Sequence, residues 1–185
     1  IKYIFMNVVK LPIDGLLLIT PTVHKDSRGY FYESWSEKRF KEINLDLQFE
    51  QDNESLSHKG VLRGLHFQNP PYEQGKLVRV IKGAVLDVAV DIRKKSPTYG
   101  KYYSVKLSED NKKLFWIPPG FAHGFLTLEN NTIFSYKCTK LYNKESEDAL
   151  LWSDSDLNID WDLDSPIVSE KDNLASNFKD FKTKF

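Results

Sequence analysis

At 185 residues the chain is long enough for one ordinary hydrophobic core, burying roughly 70% of the surface its unfolded form exposes, so no disulfide or structural metal is needed to hold a fold. Its 26 Lys and Arg balance 26 Asp and Glu, which removes the basic field that nucleic acid or an anionic membrane surface requires. The longest apolar run, near Gly15-Leu16-Leu17-Leu18-Ile19, is far short of a bilayer span, and a single cysteine, Cys138, excludes an internal disulfide. The expectation is a soluble, cytoplasmic protein with no nucleic-acid and no membrane partner. The start Ile1-Lys2-Tyr3-Ile4-Phe5-Met6 has no proper h-region and no small-residue cleavage site, and is read as lacking a signal peptide.

In chain order, short β-rich runs predict strands at Leu16 to Thr20, Tyr30 to Trp35, Val61 to Phe67, Lys76 to Ile81, Ala84 to Ile92, Tyr102 to Leu107, Leu114 to Ile117, Gly124 to Leu128 and Thr132 to Thr139. Turn formers separate them at Asp26-Ser27-Arg28-Gly29, Lys82-Gly83, Ser96-Pro97-Thr98-Tyr99-Gly100, Glu109-Asp110-Asn111 and Glu129-Asn130-Asn131. One helix is predicted over Ser36 to Ile43, opened by a capping box of Ser34 with Glu37. Many short strands with one or two peripheral helices suit an all-β double-sheet jelly roll in a single domain, 1–185. The acidic segment after Tyr142 is expected to wrap a sheet. Asp154-x-Asp156-x-Asn158 imitates a calcium loop, but Ile159 replaces the required glycine and Ser165 the closing glutamate, so it reads as a solvated acidic loop.

Four histidines are present. His24 and His58 sit in polar turns and read as surface residues. His66 and His123 lie on or beside core strands, where a structural and a functional histidine look alike. The run Pro118-x-Gly120-x-x-His123 resembles the second motif of cupins, but His66-Phe67-Gln68 offers one histidine where the first cupin motif would supply a metal-binding pair. The expectation is a pocket that works by proton transfer, with no metal and no cofactor. His66 could serve as base. Lys76 opens a core-like strand and could hold an oxyanion in the barrel mouth, or could be an edge lysine. Tyr136 alternates onto the face of Phe134 and Cys138, where an acid and ordinary aromatic packing read the same.

Longer stretches decide more: Asp26-Ser27-Arg28-Gly29-Tyr30-Phe31-Tyr32-Glu33, Gln51-Asp52-Asn53-Glu54-Ser55, Val61-Leu62-Arg63-Gly64-Leu65-His66-Phe67-Gln68, Gly75-Lys76-Leu77-Val78-Arg79, Asp87-Val88-Ala89-Val90-Asp91-Ile92-Arg93, Trp116 to Phe125, and Tyr136-Lys137-Cys138-Thr139. From about Val9 to Asp172 the chain resembles the dTDP-4-dehydrorhamnose 3,5-epimerase family, leaving 173–185 peripheral. The resemblance implies a homodimeric cupin jelly roll that inverts C3 and C5 of dTDP-4-keto-6-deoxy-D-glucose, in dTDP-L-rhamnose biosynthesis. It implies His66 as general base, Tyr136 as general acid, Lys76 at the C4 oxyanion and Asp172 orienting His66. It implies Asp87 as partner of His123 behind the site, and Arg28, Glu33, Gln51, Asp52, Asn53, Arg63, His123, Glu147 and Lys171 as substrate-binding positions. Alternatives are an epimerase of C3 alone or C5 alone acting on a related sugar, and a non-catalytic nucleotide-sugar-binding jelly roll.

Two expectations are structural. Strict alternation puts Arg63 and His66 on opposite faces, so a bulge at Gly64 is predicted if both line the site. Leu141 stands where the resemblance favours an aromatic beside Tyr142, which bears on sugar contacts.

Overall fold

The computed structural model describes residues 6–185; the reading of the segment before Met6 lies outside the described residues. In chain order the strands are β1 (Met6–Lys10), β2 (Leu17–Pro21), β3 (His24–Asp26) and β4 (Gly29–Phe31), followed by helix α1 (Glu37–Glu42). Then come β5 (Gln51–Ser57), β6 (Val61–Gln68), β7 (Lys76–Lys82), β8 (Ala84–Asp91), β9 (Tyr102–Ser108), β10 (Leu114–Ile117), β11 (Phe121–Thr127) and β12 (Thr132–Cys138). Short strands β13 (Glu147–Ala149) and β14 (Ile167–Val168) precede helix α2 (Glu170–Asn173).

One sheet has the order β1-β2-β10-β7-β12-β5, and the other runs β13-β6-β11-β8-β9 with β14 added alongside β6. Alternation along the strands divides the apolar side chains into an inner and two outer layers. Val78, Val80 and Phe134 from the first sheet meet Val85, Ala89, Phe121 and Phe125 from the second, all buried, to form the inter-sheet core. Burial of each of these valine and phenylalanine side chains contributes about 1.5 to 3 kcal/mol. The outer face of the first sheet, with Ile19, Leu77 and Trp116, is covered by Phe40 of α1 and by the segment running to Phe49. The outer face of the second is covered by the C-terminal segment, where Leu150, Leu157, Trp161, Phe178, Phe181 and Phe185 pack on Leu62, Leu65, Phe67 and Val90. The expected wrapping after Tyr142 is therefore present, and 173–185 is part of that cover.

The structure corrects several local expectations. The strand expected over Tyr30 to Trp35 shortens to β4, because among the described residues β4 pairs only with β3 and has no second neighbour to extend it. The N-cap of α1 is Ser36, without a side-chain capping bond, so the Ser34 and Glu37 box is not formed. Asp154 is not a solvated residue of its loop: it is buried, its carboxylate accepting the backbone N–H groups of Asp156, Leu157 and Phe178 at 2.9, 3.0 and 2.8 Å. Strand β5 was not anticipated, because its inward face carries Gln51, Asn53 and Ser55 rather than apolar residues. Strand β5 pairs along its edge with β12, with Asn53 opposite Tyr136, so the polar residues share a face with Tyr136 and position the site.

Candidate active site

The site begins at an irregularity in β6. His66 pairs with His123 of β11 and Arg63 with Phe125, so three steps on β6 match two on β11: the predicted bulge. Gly64 carries it, with φ of 138°. A methyl group there would meet the Gly124 Cα at 2.5 Å, so the two backbones approach as only glycine allows. The extra residue keeps Leu62, Leu65 and Phe67 together in the outer apolar layer and leaves Arg63, His66 and Gln68 on the other face.

His66 Nε2 donates to Asp172 Oδ1 at 2.7 Å, fixing the ring and leaving its other nitrogen uncommitted to Asp172. Asp172 is held in turn: its Oδ2 accepts the Gly64 N–H at 3.2 Å, and its own N–H donates to Ser169 Oγ, the N-cap of α2, at 3.1 Å. Burial alone would raise this carboxyl, but the bonds from His66 and Gly64 outweigh it and hold Asp172 below the usual carboxylate range.

A cavity of about 150 Å³ opens beside His66, lined also by Lys76, Tyr136, Gln51, Asn53 and Glu147. Lys76 and Tyr136 come from β7 and β12 of the first sheet and His66 from the second, so base and phenol candidates approach from facing sheets. Lys76 belongs to a central strand, which removes the edge-lysine reading. Burial pushes its ammonium pKa down, against opposing attraction from Cys138, Asp87 and Glu147. Burial pushes the Tyr136 phenol and the Cys138 thiol up. Cys138 and Lys76 are cross-strand partners, and Asn53 Nδ2 donates to Cys138 Sγ at 3.7 Å. Among the described residues, no cluster of three His, Cys, Asp or Glu side chains is placed to hold a metal ion.

Beneath the cavity His123 donates from Nε2 to both oxygens of Asp87, at 2.9 and 3.0 Å. Both residues are buried. Burial dominates their protonation, pushing the Asp87 carboxyl up and the His123 imidazole down, and only partly offset by their mutual attraction. The expected second pair is thus present, while His123 itself lies below the cavity lining.

At the rim, Lys171 Nζ meets Glu147 Oε2 at 2.6 Å, and the Tyr142 hydroxyl donates to the same oxygen at 3.0 Å. Arg63, Lys171 and Asp172 border a further opening of about 390 Å³ that shares His66 with the cavity. Arg63 Nε donates to Ser57 Oγ at 3.1 Å. Three expected binding residues are not brought to this place. Asp52 alternates onto the outer face of β5 and pairs with Lys137 at 2.7 Å. Arg28 is exposed at the tip of the β3–β4 hairpin, paired with Asp26 at 2.6 Å. Glu33 is exposed beside Arg39, 3.8 Å from its Nε. Gln68, Gln74 and Tyr142 line the cavity without having been singled out. Gln68 was legible, being two residues from His66 on the same face; nothing local marked the other two. His24 and His58 are exposed, as read.

A model of the family described as dTDP-4-dehydrorhamnose 3,5-epimerase matches residues 10–180. The chain is similar to the dTDP-4-dehydrorhamnose 3,5-epimerase of Shigella flexneri, with 51% identity over 176 residues, covering 95% of this chain and 97% of the relative. It is 53% identical over 167 residues to the enzyme of the same name from Methanothermobacter thermautotrophicus, covering 89% of this chain and 90% of that one. Its fold is similar to the crystal structure of the dTDP-6-deoxy-D-glucose-3,5-epimerase of Legionella pneumophila in complex with dTDP-4-keto-L-rhamnose, with a TM-score of 0.90, 49% identity and 94% and 93% coverage of the two chains. Sequence, fold and the opposed His66 and Tyr136 agree, and the chain belongs to the dTDP-4-dehydrorhamnose 3,5-epimerase family.

Proposed function

We propose that this epimerase inverts C3 and C5 of dTDP-4-keto-6-deoxy-D-glucose to give dTDP-4-keto-L-rhamnose, without a cofactor. The observation that carries this reading is the approach of His66 and Tyr136 from facing sheets to one cavity, with Lys76 beside them. The C4 ketone acidifies the hydrogens on C3 and C5. His66 takes the C3 proton, and the C–H electron pair moves into the C3–C4 bond as the carbonyl becomes an enolate oxyanion. Lys76 stabilises that oxyanion. Among the described residues its Nζ has no hydrogen-bond partner, so its protons are available to the ligand. Tyr136 then donates its phenolic proton to the opposite face of C3, inverting the centre, and imidazolium and phenolate return to their resting states by exchange with water. The same cycle acts at C5.

Each proton-transfer group contributes on the order of 10² to 10⁴ in rate, and the lysine about 10² to 10³. Burial of Tyr136 keeps its proton in place at neutral pH until the enolate draws it. Arg63 and Lys171, at the opening beside His66, supply positive charge suited to the pyrophosphate, the guanidinium fork matching its oxygens.

We further infer a homodimer. The β3–β4 hairpin carries Arg28 with Tyr30 and Phe31, whose exposures of 55% and 68% leave an aromatic surface that a second copy covers. Sedimentation at micromolar concentration checks this, and a monomer contradicts it. A cytoplasmic location agrees with a buried, unpaired Cys138 and with a nucleotide-sugar substrate. No helix among the described residues is long and apolar enough to cross a membrane.

The test of the reaction is stereochemical. Incubation with dTDP-4-keto-6-deoxy-D-glucose and analysis of the sugar by NMR yields the product inverted at both carbons. Unchanged substrate, or inversion at one carbon only, contradicts the reading.

A further inference from the structure

The rim of the cavity is made by a segment that belongs to neither sheet. Residues 141–143, between β12 and β13, carry Tyr142, whose hydroxyl reaches Glu147. This segment is fastened from both sides by side-chain amides. From the first sheet, Gln51 Oε1 accepts the Tyr142 N–H at 2.7 Å. From the second, Gln68 makes a two-point contact around the same residue: Nε2 donates to the Leu141 carbonyl at 3.2 Å and Oε1 accepts the Asn143 N–H at 2.8 Å. The second proton of the same amide goes to the Tyr72 carbonyl at 2.6 Å, in the other loop at the rim. Gln68 is 4% exposed and pairs through its backbone with Glu147.

We propose that Gln68 is a positioning residue for the epimerase reaction: its amide fixes the backbone on either side of Tyr142 and the turn at Tyr72, so that the binding rim is set from the strand that carries His66. The inference rests on the assignment of this cavity as the active site. Three hydrogen bonds from one buried primary amide to two separate loops are more than packing requires. Tyr142 and Leu141 are otherwise exposed, at 53% and 56%, so apolar burial contributes little to holding the segment. Gln68 touches neither reacting carbon in the mechanism above; its effect passes through Tyr142 and Glu147, and therefore falls on substrate binding before it falls on proton transfer.

The test compares wild type with Gln68→Met, which keeps the side-chain length and removes every bond, and with Gln68→Glu, which keeps the acceptor for Asn143 and loses the donors to Leu141 and Tyr72. Amide hydrogen exchange is measured on the free proteins and steady-state kinetics on dTDP-4-keto-6-deoxy-D-glucose. In Gln68→Met, exchange over 141–147 accelerates about tenfold or more while 84–91 in β8 is unchanged. KM rises about tenfold, the scale of one or two lost hydrogen bonds, and kcat at saturation stays within about threefold of wild type. Gln68→Glu turns a carboxylate oxygen toward the Leu141 and Tyr72 carbonyls with no proton to give them, so its exchange over 141–147 and its KM rise at least as far as in Gln68→Met. Unchanged exchange over 141–147 overturns the proposal, as does a loss of kcat with unchanged KM, or faster exchange throughout the chain in both variants. Should wild type leave the sugar unchanged, the catalytic reading fails, and hydrogen exchange over 141–147 still decides whether Gln68 fastens the segment, with dTDP as the probe of rim affinity.

Discussion

Two histidine–carboxylate pairs meet at the second sheet, where His66 and His123 are direct cross-strand partners; Asp87 comes from β8 and Asp172 from α2. Both rings give Nε2 to an aspartate, at 2.7 Å for His66 with Asp172 and at 2.9 Å for His123 with Asp87. They differ in solvent access: the His66 side chain is 33% exposed and the His123 side chain 7%. Asp172 is held below the ordinary carboxylate range, whereas burial drives Asp87 above it and His123 below the ordinary imidazole range. The same pair of groups therefore suits the base proposed at the cavity in one case and a buried support in the other. Pairing alone does not assign the chemistry; access and desolvation do.

The comparison breaks most sharply at the rings themselves. His66→Ala is expected to lower turnover by on the order of 10² to 10⁴, with a melting temperature within a few degrees of wild type because the side chain is part exposed. Wild-type turnover, or an unfolded protein, would remove the division of labour. His123→Leu should do the reverse, leaving Asp87 buried without a partner and costing about 3 kcal/mol or more of stability. Urea denaturation measures this, and a variant as stable as wild type but inactive would move His123 into the chemistry.

How much of this was readable follows from particular residues. The bulge became readable once the family resemblance put both Arg63 and His66 in the site, because strict alternation sets them on opposite faces and Gly64 between them is the natural place for an extra residue. The pairing of His66 with Asp172 spans 106 positions, so no local spacing announces it, and only the family resemblance pointed there. Strand β5 was hidden for a physical reason: hydrophobic alternation reports burial in a core, and its inward side chains serve a polar site. Asp52 shows the converse error, a residue inside a matching stretch whose alternation turns it away to Lys137. Arg28 and Glu33 matched their motif as well, yet one chain does not bring them to the cavity.

Two smaller effects sharpen the account. Asp172→Asn keeps the shape and weakens the orientation of His66, so kcat/KM should fall about 10-fold to 100-fold; an unchanged value would make Asp172 a support like Asp87. The smallest effect is in pH. The proposed mechanism needs Lys76 and Tyr136 both protonated, and burial moves the first down and the second up. As pH rises, Lys76 loses its proton first, so the alkaline limb of kcat should lie below the ordinary lysine range. A limb at or above that range would contradict the role of Lys76.

The central claim is that one sheet removes a proton and the facing sheet returns it. It is tested most directly by proton NMR of dTDP-4-keto-6-deoxy-D-glucose in D₂O with wild type and Tyr136→Phe. The account predicts that wild type introduces deuterium at C3 and C5 with inversion at both, while Tyr136→Phe still exchanges protons through His66 but forms the inverted sugar on the order of 10² times more slowly or worse. Inversion at the wild-type rate without the Tyr136 hydroxyl would contradict it.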